Sequence, residues 1–464
     1  MHLIFKHIKA MPKRGNIMDN TLSKETTKNK RVLIVGTLPY RKDAPTRAFE
    51  SYFSGWERDA IAQVFSNEAA PVKGHCGTLF QITDRMLLKK WFGEKRDIGT
   101  QYYYDSLSAE GTNHKNEALN RKPKGIVDFL SKLGAKHTPS THLARGVLWK
   151  RSFWANEKFC NWLDEFKPEC VFLSFSDDFF ILNIAQFVSR RFDIPIVTEI
   201  GDDYIFNDRK SLSPAYHLYR KMYKSKVHSL FEKNRYIAYI SDKMEKQYNE
   251  YFRAFGKTVY LTSEIARRPF RQIDMKRPRI RYFGNVLLDR YQSIVDIANA
   301  LKGINESYTI DVYGGNLSED IRKAFDACEN IVYHNPVPYS EVMRLTEESD
   351  ILLLVEAFSK FNIQSTKYSL STKVADSLKS GVNLFAYGSE ECGLIDYMQR
   401  YDACVTCTSQ SELKSMLEKL IEDVSLQRRF YSRSEQLTEE HHSIASSVKI
   451  VRGLIDSAIC SHTS

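Results

Sequence analysis

No stretch of this sequence approaches the roughly 18 uncharged apolar residues that a membrane-spanning helix requires, so any membrane contact is expected to be peripheral. Cysteine is sparse. Cys76, Cys160, Cys170, Cys328, Cys392, Cys404, Cys407 and Cys460 form no dense framework, which excludes a disulfide-stapled scaffold and reads as free thiols in a reducing, cytoplasmic compartment. The opening residues carry only a short apolar patch broken by Lys6, with nothing like a cleavage site after it, so they do not read as a signal peptide. Residues 1–30 are polar and basic and are expected to be a flexible tail, with Met11 or Met18 as alternative starts. Internal repeats and low-complexity tracts are absent. Acidic residues are in the minority, 57 against 67 Lys and Arg, and the formal charge of +10 suits nucleic acid, an anionic membrane or a phosphate-bearing ligand without choosing among them.

What is present is material for cores. With 42% hydrophobic and 12% aromatic residues, the 464-residue chain is an ordinary globular protein and not a disordered one. Its length argues for two or three domains. Short apolar runs alternate with helix-length amphipathic segments from end to end, the pattern of parallel α/β units. The first series comprises residues 32–36, 61–65, 170–175, 195–199, 236–240 and 258–261; between residues 92 and 142 the pattern fails, and an insertion or long loop is expected. The run EIARRPFRQIDMKRPR after Leu261 reads as a linker. A second series follows at 280–284, 308–313, 331–333, 351–355, 383–387 and 403–406. The spacing predicts two doubly wound domains, 31–270 and 271–440, with a C-terminal helix at 441–464 packing back toward the first. Ligands in such sheets bind beyond the C-terminal strand ends, so the chemistry is sought in the cleft between the domains.

The most informative stretch is VEAFSKFNIQSTKYSLSTKVADSLKSGVNLFAYG, residues 355–388. A strand leads through a polar loop into a helix expected to begin near Ser371, Thr372 and Lys373 and to end at Gly381. Hydroxyls and unpaired N–H groups at such a start, beside a lysine, suit a phosphate. Asp376, three residues on, lies on the same side, where a carboxylate can accept from ribose hydroxyls. An ordinary capped helix with a solvated Lys and Asp accounts for the same spacing. In the first domain, Gly36 and Thr37 follow strand one, as either a ligand loop or a plain turn. Ser174, Ser176, Asp177 and Asp178 end another strand, and PIVTEIGDD (195–203) places Glu199, Asp202 and Asp203 at a buried strand end. Carboxylates there are costly unless paired, so they serve either as a base or acceptor ligand, or in salt bridges to residues such as Arg209. Cys404 and Cys407 have zinc-like spacing without a second pair, and His441 and His442 read as solvated. The segment 205–235, basic with Tyr216, Tyr219 and Tyr223 at helical spacing, suits anionic lipid headgroups or an inward tyrosine stripe.

From Arg31 to about Gly453 the chain resembles the bacterial GT-B-fold glycosyltransferases of the family-four, or group-one, type. IRYFGN (280–285) is similar to the glycine turn of that family's second domain, which implies donor contacts at Gly284 and Asn285. Asp289-Arg290 stands where a basic residue meets the donor pyrophosphate. YTIDVYGG (308–315), NIVYHNPVPYSEVMRLTEESDILLL (330–354) and DSLKSGVNLFAYG (376–388) follow in the family's order. The resemblance places Asp376 at a ribose-binding glutamate. The second glutamate of the family pattern, eight positions earlier, falls on Tyr368, and Glu356 is the nearest acidic substitute. The "acid, long loop, Ser-Thr-Lys" arrangement is similar to a polysaccharide-assembly branch.

The resemblance thus implies transfer of a sugar from a nucleoside diphosphate to a growing, lipid-linked cell-surface glycan such as a capsule, at the inner face of the membrane. It implies retention of configuration, a catalytic role for Glu356 as the substitute acid, and no metal or cofactor, while the strand-end carboxylates of the first domain make Asp202 and Asp203 catalytic candidates on their own account. Helix starts and basic side chains in that fold offset the diphosphate charge. The rival readings are an epimerase or phosphorylase of the same architecture, a catalytically dead scaffold, and a nucleic-acid-binding protein suggested by the charge. No base-stacking or groove-reading motif supports the last, and no nucleic acid is expected as a partner.

Overall fold

The computed structural model describes residues 29–39, 48–108, 125–127, 130, 134, 138–208, 210–315 and 317–463. Eight strands form the first sheet: β1 (Val32–Val35), β2 (Ile61–Phe65), β3 (Thr78–Gln81), β4 (Thr100–Tyr103), β5 (Cys170–Ser174), β6 (Ile196–Ile200), β7 (Ile237–Tyr239) and β8 (Lys257–Thr258). Their order is β4-β3-β2-β1-β5-β6-β7-β8, parallel except for the β3–β4 pair. The uninterrupted apolar run of β1 is what a strand covered on both faces requires. Leu33 and Val35 face a core with Trp149, Phe159 and Trp162, while Val32 and Ile34 face Phe49, Tyr52 and Phe53. Two elements escape the sequence pattern. β3 lies just ahead of the stretch expected to be an insertion, and the edge strand β4 within it, because four polar-flanked residues are too short to show a period. Residues 40–47, which lead from Gly36 into the first helix, and Arg209 lie outside the described residues.

The second sheet is wholly parallel: β9 (Ile280–Phe283), β10 (Ile310–Tyr313), β11 (Ile331–His334), β12 (Ile351–Val355), β13 (Asn383–Tyr387) and β14 (Val405–Cys407), in the order β11-β10-β9-β12-β13-β14. This is the doubly wound 3-2-1-4-5-6 order, whose switch point, where ligands bind, falls between β9 and β12. Helix Val424–His441 covers this domain, and helix Ile444–Thr463 crosses to the first, where it packs against β6, β7 and the helix Ala48–Tyr52, and Val451, Leu454, Ile455 and Ala458 join the core on that face.

The arginine-rich linker is fastened rather than free. Arg268, buried, donates to the carbonyls of Glu347 (2.7 Å) and Ser349 (2.5 Å), and Arg271 to that of Glu348 (2.6 Å). These carbonyls end helix Tyr339–Glu348, where backbone acceptors have no intrahelical partner and positive charge is favoured. Burial also pushes the Arg268 guanidinium down to about 10. Arginines that suggested nucleic acid therefore do internal work.

His441 and His442, expected in solvent, are not. His442 is buried, with Nδ1 2.7 Å from the Leu261 carbonyl and Nε2 3.0 Å from the Tyr397 hydroxyl, and burial holds its pKa down at about 4. The polar sequence hid them because the turn between the last two helices folds onto the interdomain linker. Cys404 and Cys407 are buried thiols on and beside β14. In helix Pro214–Lys233, Tyr219 and Tyr223 point inward, their hydroxyls donating to the carbonyls of Asp177 (2.9 Å) and Ser176 (2.7 Å).

Arg268→Ala leaves the carbonyls of Glu347 and Ser349 to Arg271 alone (3.5 and 2.8 Å), and a loss of about 1–3 kcal/mol is expected, the cost of a buried polar group left poorly paired. The midpoint of urea unfolding followed by far-UV circular dichroism measures it.

Candidate functional site

At the switch point of the second domain, β9 ends at Phe283 and the chain turns at Gly284 with φ +133°. A Cβ here would lie 2.3 Å from Lys373 Nζ and 2.5 Å from its Cε, so the missing side chain is what lets Lys373 cross the strand end. Lys373 Nζ lies 3.1 Å from the Tyr282 hydroxyl and 4.5 Å from that ring's centroid. Two segments almost ninety residues apart are joined in this way. Lys373 opens helix Lys373–Ser380, which ends at Gly381 in the left-handed region (φ +73°). Ser371 Oγ accepts weakly from the Lys373 N–H (3.4 Å), and Thr372 makes no side-chain cap. One turn on, Asp376 Oδ2 accepts from the Tyr339 hydroxyl at 3.1 Å. Lys373, Asp376, Ser377, Arg281 and Phe283 line a recess of about 50 Å³. Phe283 in turn stacks on Tyr313 (5.1 Å), and Tyr313 on His334 (4.4 Å). This aromatic step, like Tyr339, was not singled out in the sequence; its signal is that each ring ends a strand.

Asn285 Oδ1 accepts from the Leu287 N–H (2.7 Å), shaping the turn that leads to Asp289, itself in the left-handed region (φ +59°). Arg290 then begins helix Arg290–Ile304 and reaches Glu356 at the end of β12: Nε to Oε2 and Nη2 to Oε1 are both 3.0 Å. Glu356 is only 4% exposed. A two-pronged pair of this kind is the strong form of a charge-assisted hydrogen bond. The partner of Glu356 is no neighbour in the chain but Arg290, 66 residues away, because helix Arg290–Ile304 starts directly beside the strand end. The Glu356 backbone is held as well, its N–H donating to the Tyr387 carbonyl (2.9 Å) and its carbonyl accepting from Ser293 Oγ (2.7 Å).

Beyond Glu356 the chain reaches across to the first domain. Asp289 Oδ2 accepts from Ser359 Oγ (2.7 Å) and Asn362 Nδ2 (2.6 Å), and further on Ser241 Oγ donates to the Tyr368 carbonyl (2.5 Å). The Tyr368 ring is buried in the first domain's core near Phe206. That explains why a tyrosine stands where an acid was looked for: an apolar wall accepts a ring and penalises a carboxylate.

In the first domain Gly36 approaches β5 closely, where a Cβ would meet Ser174 Cβ at 3.2 Å, and the Thr37 carbonyl accepts from the N–H groups of Ser66 and Asn67. Ser174 Oγ donates to Glu199 Oε2 (3.2 Å), and burial, aided by the charge of Asp202, lifts the Glu199 carboxyl to about 7 despite that bond. Asp203 Oδ1 accepts from the N–H groups of Ile205 (3.0 Å) and Phe206 (2.9 Å) and from the Tyr248 hydroxyl (2.6 Å), which makes it the anchor of its loop. Asp202 lines a cavity of about 510 Å³ together with Asp177, Asp203, Tyr204, Tyr216 and Tyr219. Ser365 of the second domain also reaches this cavity.

From the wall of the cavity, which His142 helps to line, a chain of charges centred on that residue runs inward; His142 fell in the stretch where the sequence pattern fails. His142 Nδ1 lies 3.0 Å from Asp178 and Nε2 3.3 Å from Asp177. Arg145, one turn along helix Pro139–Leu148, places Nη1 2.7 Å from Asp178 and Nε 2.9 Å from Asp84. Burial alone would lower the His142 pKa, but its bonds to Asp177 and Asp178 outweigh it and raise the value to about 9. Among the described residues, His142, Asp177 and Asp178 are the one group whose ligand atoms fall within metal-binding reach of one another. Its positive charge is supplied by the imidazolium and Arg145, so the donor set is already occupied. The structure thus brings Gly284, Lys373 and Asp376 together, pairs Arg290 with Glu356, and puts Asp202 and Asp203 on the opposite domain.

No protein-family model matches the chain, and no curated protein matches it. Among solved structures it is similar to a sucrose-phosphate synthase from Thermosynechococcus elongatus (7% identity, TM-score 0.56, 93% of this chain and 100% of that one). It is also similar to Anabaena HepE in complex with UDP and glucose (10%, 0.54, 92% and 100%). A third likeness is to an α,α-trehalose-phosphate synthase (UDP-forming) from Burkholderia xenovorans with glucose-6-phosphate (11%, 0.53, 91% and 99%). These likenesses over nearly the whole chain show the GT-B fold, two Rossmann-like domains about a cleft.

Because the folded pKa of His142 lies above its ordinary value of 6.5, its pairing stabilises the fold fully below that pH and is lost as pH rises through about 9. The melting temperature is therefore expected to fall across this window, and less steeply in His142→Gln, as differential scanning fluorimetry across pH would show.

Proposed function

We propose that this chain is a glycosyltransferase that moves a sugar from a nucleoside diphosphate, held on the second domain, to a glycan acceptor held on the first. The observation that carries the reading is the convergence of Gly284, Lys373 and Asp376 at the switch point of a GT-B fold. Lys373 offsets diphosphate charge as the glycosidic bond breaks, with the start of its helix adding N–H donors. Asp376 and Tyr339 form the polar wall for ribose, and the Phe283–Tyr313–His334 step offers a stacking face for a base. Glu356 has both oxygens on Arg290, so the two act as one unit beside the transferring sugar, Arg290 sharing its charge between carboxylate and phosphate. Support comes from the UDP- and glucose-bound state of HepE, a protein of the same fold.

The finer reading is a family-four enzyme of the polysaccharide-assembly branch, retaining, independent of metal and cofactor, acting on a lipid-linked acceptor. No described helix is long and apolar enough to cross a membrane. Peripheral contact has support on helix Pro214–Lys233, where Leu218 and Met222 are exposed beside Lys221, with Leu212 just ahead. Vesicle binding is expected to rise with anionic lipid content and fall with salt, measured by co-sedimentation.

Lys373→Ala is expected to weaken nucleotide-sugar binding by about 1.5–3 kcal/mol, the worth of a hydrogen bond to a charged group. Calorimetric titration with UDP-, GDP- and CDP-sugars in EDTA measures it, and unchanged affinity in a folded variant would remove the phosphate role. Asp376→Asn should lower nucleotide affinity alone. Glu356→Gln should lower turnover and melting temperature together, because it leaves the buried Arg290 charge without its partner.

A further inference from the structure

We propose that the cavity beneath helix Pro214–Lys233 is the subsite for an uncharged, hydroxyl-bearing saccharide, and that Asp177 is the carboxylate accepting from one of its hydroxyls, aimed by His142 as a positioning residue. This rests on the glycosyl-transfer reading of the second domain and adds the class of acceptor and the residues that select it.

The cavity, about 510 Å³, has room for more than one sugar ring and opens on the interdomain cleft, since Ser365 of the second domain contributes to its wall. Tyr204, Tyr216 and Tyr219 supply aromatic surface, and Asp177 and Asp202 supply acceptors. Rings to cover apolar C–H faces and carboxylates to take hydroxyl protons are what a sugar asks of a site.

Asp177 is fixed from behind in both backbone and side chain. Its carbonyl accepts from the Tyr219 hydroxyl at 2.9 Å, and its carboxylate meets His142 Nε2 at 3.3 Å. The two neighbouring aspartates diverge. Asp178 is 3% exposed and turned inward to Arg145, whereas Asp177 is 31% exposed and forms part of the cavity wall. His142 is stacked on Tyr219, with centroids 4.9 Å apart and planes 18° from parallel. The chain Asp84–Arg145–Asp178–His142 thus ends on Asp177, the member of the adjacent Asp177–Asp178 pair that reaches the cavity. A buried charge network is a poor way to gain stability, since an apolar filling of the same volume does as well or better; holding a polar atom in one orientation is a use that repays it. The raised pKa of His142 keeps both ring nitrogens donating at neutral pH.

The charge of the wall sets the class of ligand. Among the described lining residues, Asp177, Asp202 and Asp203 face His142, Lys210 and Arg220, but the His142 charge is taken up by Asp177 and Asp178, and Arg220 is bound to Asp208 and to the carbonyls of Tyr204 and Ile205. A phosphate or carboxylate on the acceptor would meet this acidic wall, so neutral rings are preferred over phosphorylated ones.

The test is saturation-transfer-difference NMR on the full chain with methyl glycosides of glucose, galactose, mannose and N-acetylglucosamine, and with glucose 6-phosphate, alongside a separate calorimetric titration with UDP. At least one neutral glycoside should bind and glucose 6-phosphate should not. Asp177→Asn should weaken that binding about tenfold, as loss of one charge-assisted hydrogen bond implies, with UDP affinity unchanged. Tyr216→Ala, a second variant at the cavity wall, should also weaken it. In the wild type the binding should decline as pH rises through about 9, and in His142→Gln it should be weaker and flat across that range. Glycoside binding that survives Asp177→Asn and Tyr216→Ala, preference for glucose 6-phosphate, or UDP binding without any glycoside binding would overturn the proposal while leaving the donor reading intact. Loss of nucleotide binding to the wild-type chain would instead overturn the donor reading, whatever the glycosides do.

Discussion

The ion pair between Arg290 and Glu356 is the interaction on which the second domain's functional end depends. It joins the start of the helix after β9 to the end of β12, across the gap where the strand order reverses. Such a gap is where neighbouring loops part in opposite directions, and without a tie it would splay. Everything around the pair is arranged to admit it. Gly388 could not carry a Cβ, which would lie 2.9 Å from the Glu356 Cβ, and Ser293 and Tyr387 hold the Glu356 backbone. Burial strengthens the attraction and makes the loss of either partner severe, since the survivor would be left as an isolated charge.

From this tie the cleft is built outward. Asp289, next to Arg290, binds Ser359 and Asn362 and so directs the loop that follows Glu356 toward the first domain. There Tyr368 enters the opposite core and Ser365 reaches the wall of the large cavity. The switch point of the second domain and the large cavity of the first therefore share one loop, whose two ends are anchored on different domains. The crossing is reinforced by the C-terminal helix and by His442, which binds the linker carbonyl of Leu261. Much of the basic excess is spent inside the fold in the same way: Arg267, Arg268 and Arg271 satisfy carbonyls at helix ends. A net charge says little about partners when its carriers are occupied by the backbone.

The two domains use charge differently. In the second, the cations Arg290 and Lys373 stand at helix starts. In the first, a buried imidazolium and guanidinium hold carboxylates in fixed positions and leave Asp177 and Asp202 at the cavity wall. Glu199 behaves as burial dictates, its carboxyl lifted toward neutrality despite the bond from Ser174.

What the sequence determined by itself is the architecture. Apolar runs such as Val32–Val35 and Ile351–Val355, each followed by helix-length segments, dictate buried parallel strands, because only such strands lack the alternation of a half-exposed sheet. The helix from Lys373 to Gly381 was legible too, since its punctuation is local. Pairings between distant segments were not. Nothing near Glu356 in the chain names Arg290 as its partner, nothing in Gly284 announces that Lys373 must pass over it, and His142 lies in a stretch without any periodic pattern. The tyrosine at 368 looked like a missing acid until its ring was seen in the other domain's core. Local spacing encodes the elements because backbone geometry repeats over a few residues; the site was decided only in three dimensions, by which strand ends and helix starts the packing of two cores brings within hydrogen-bonding reach.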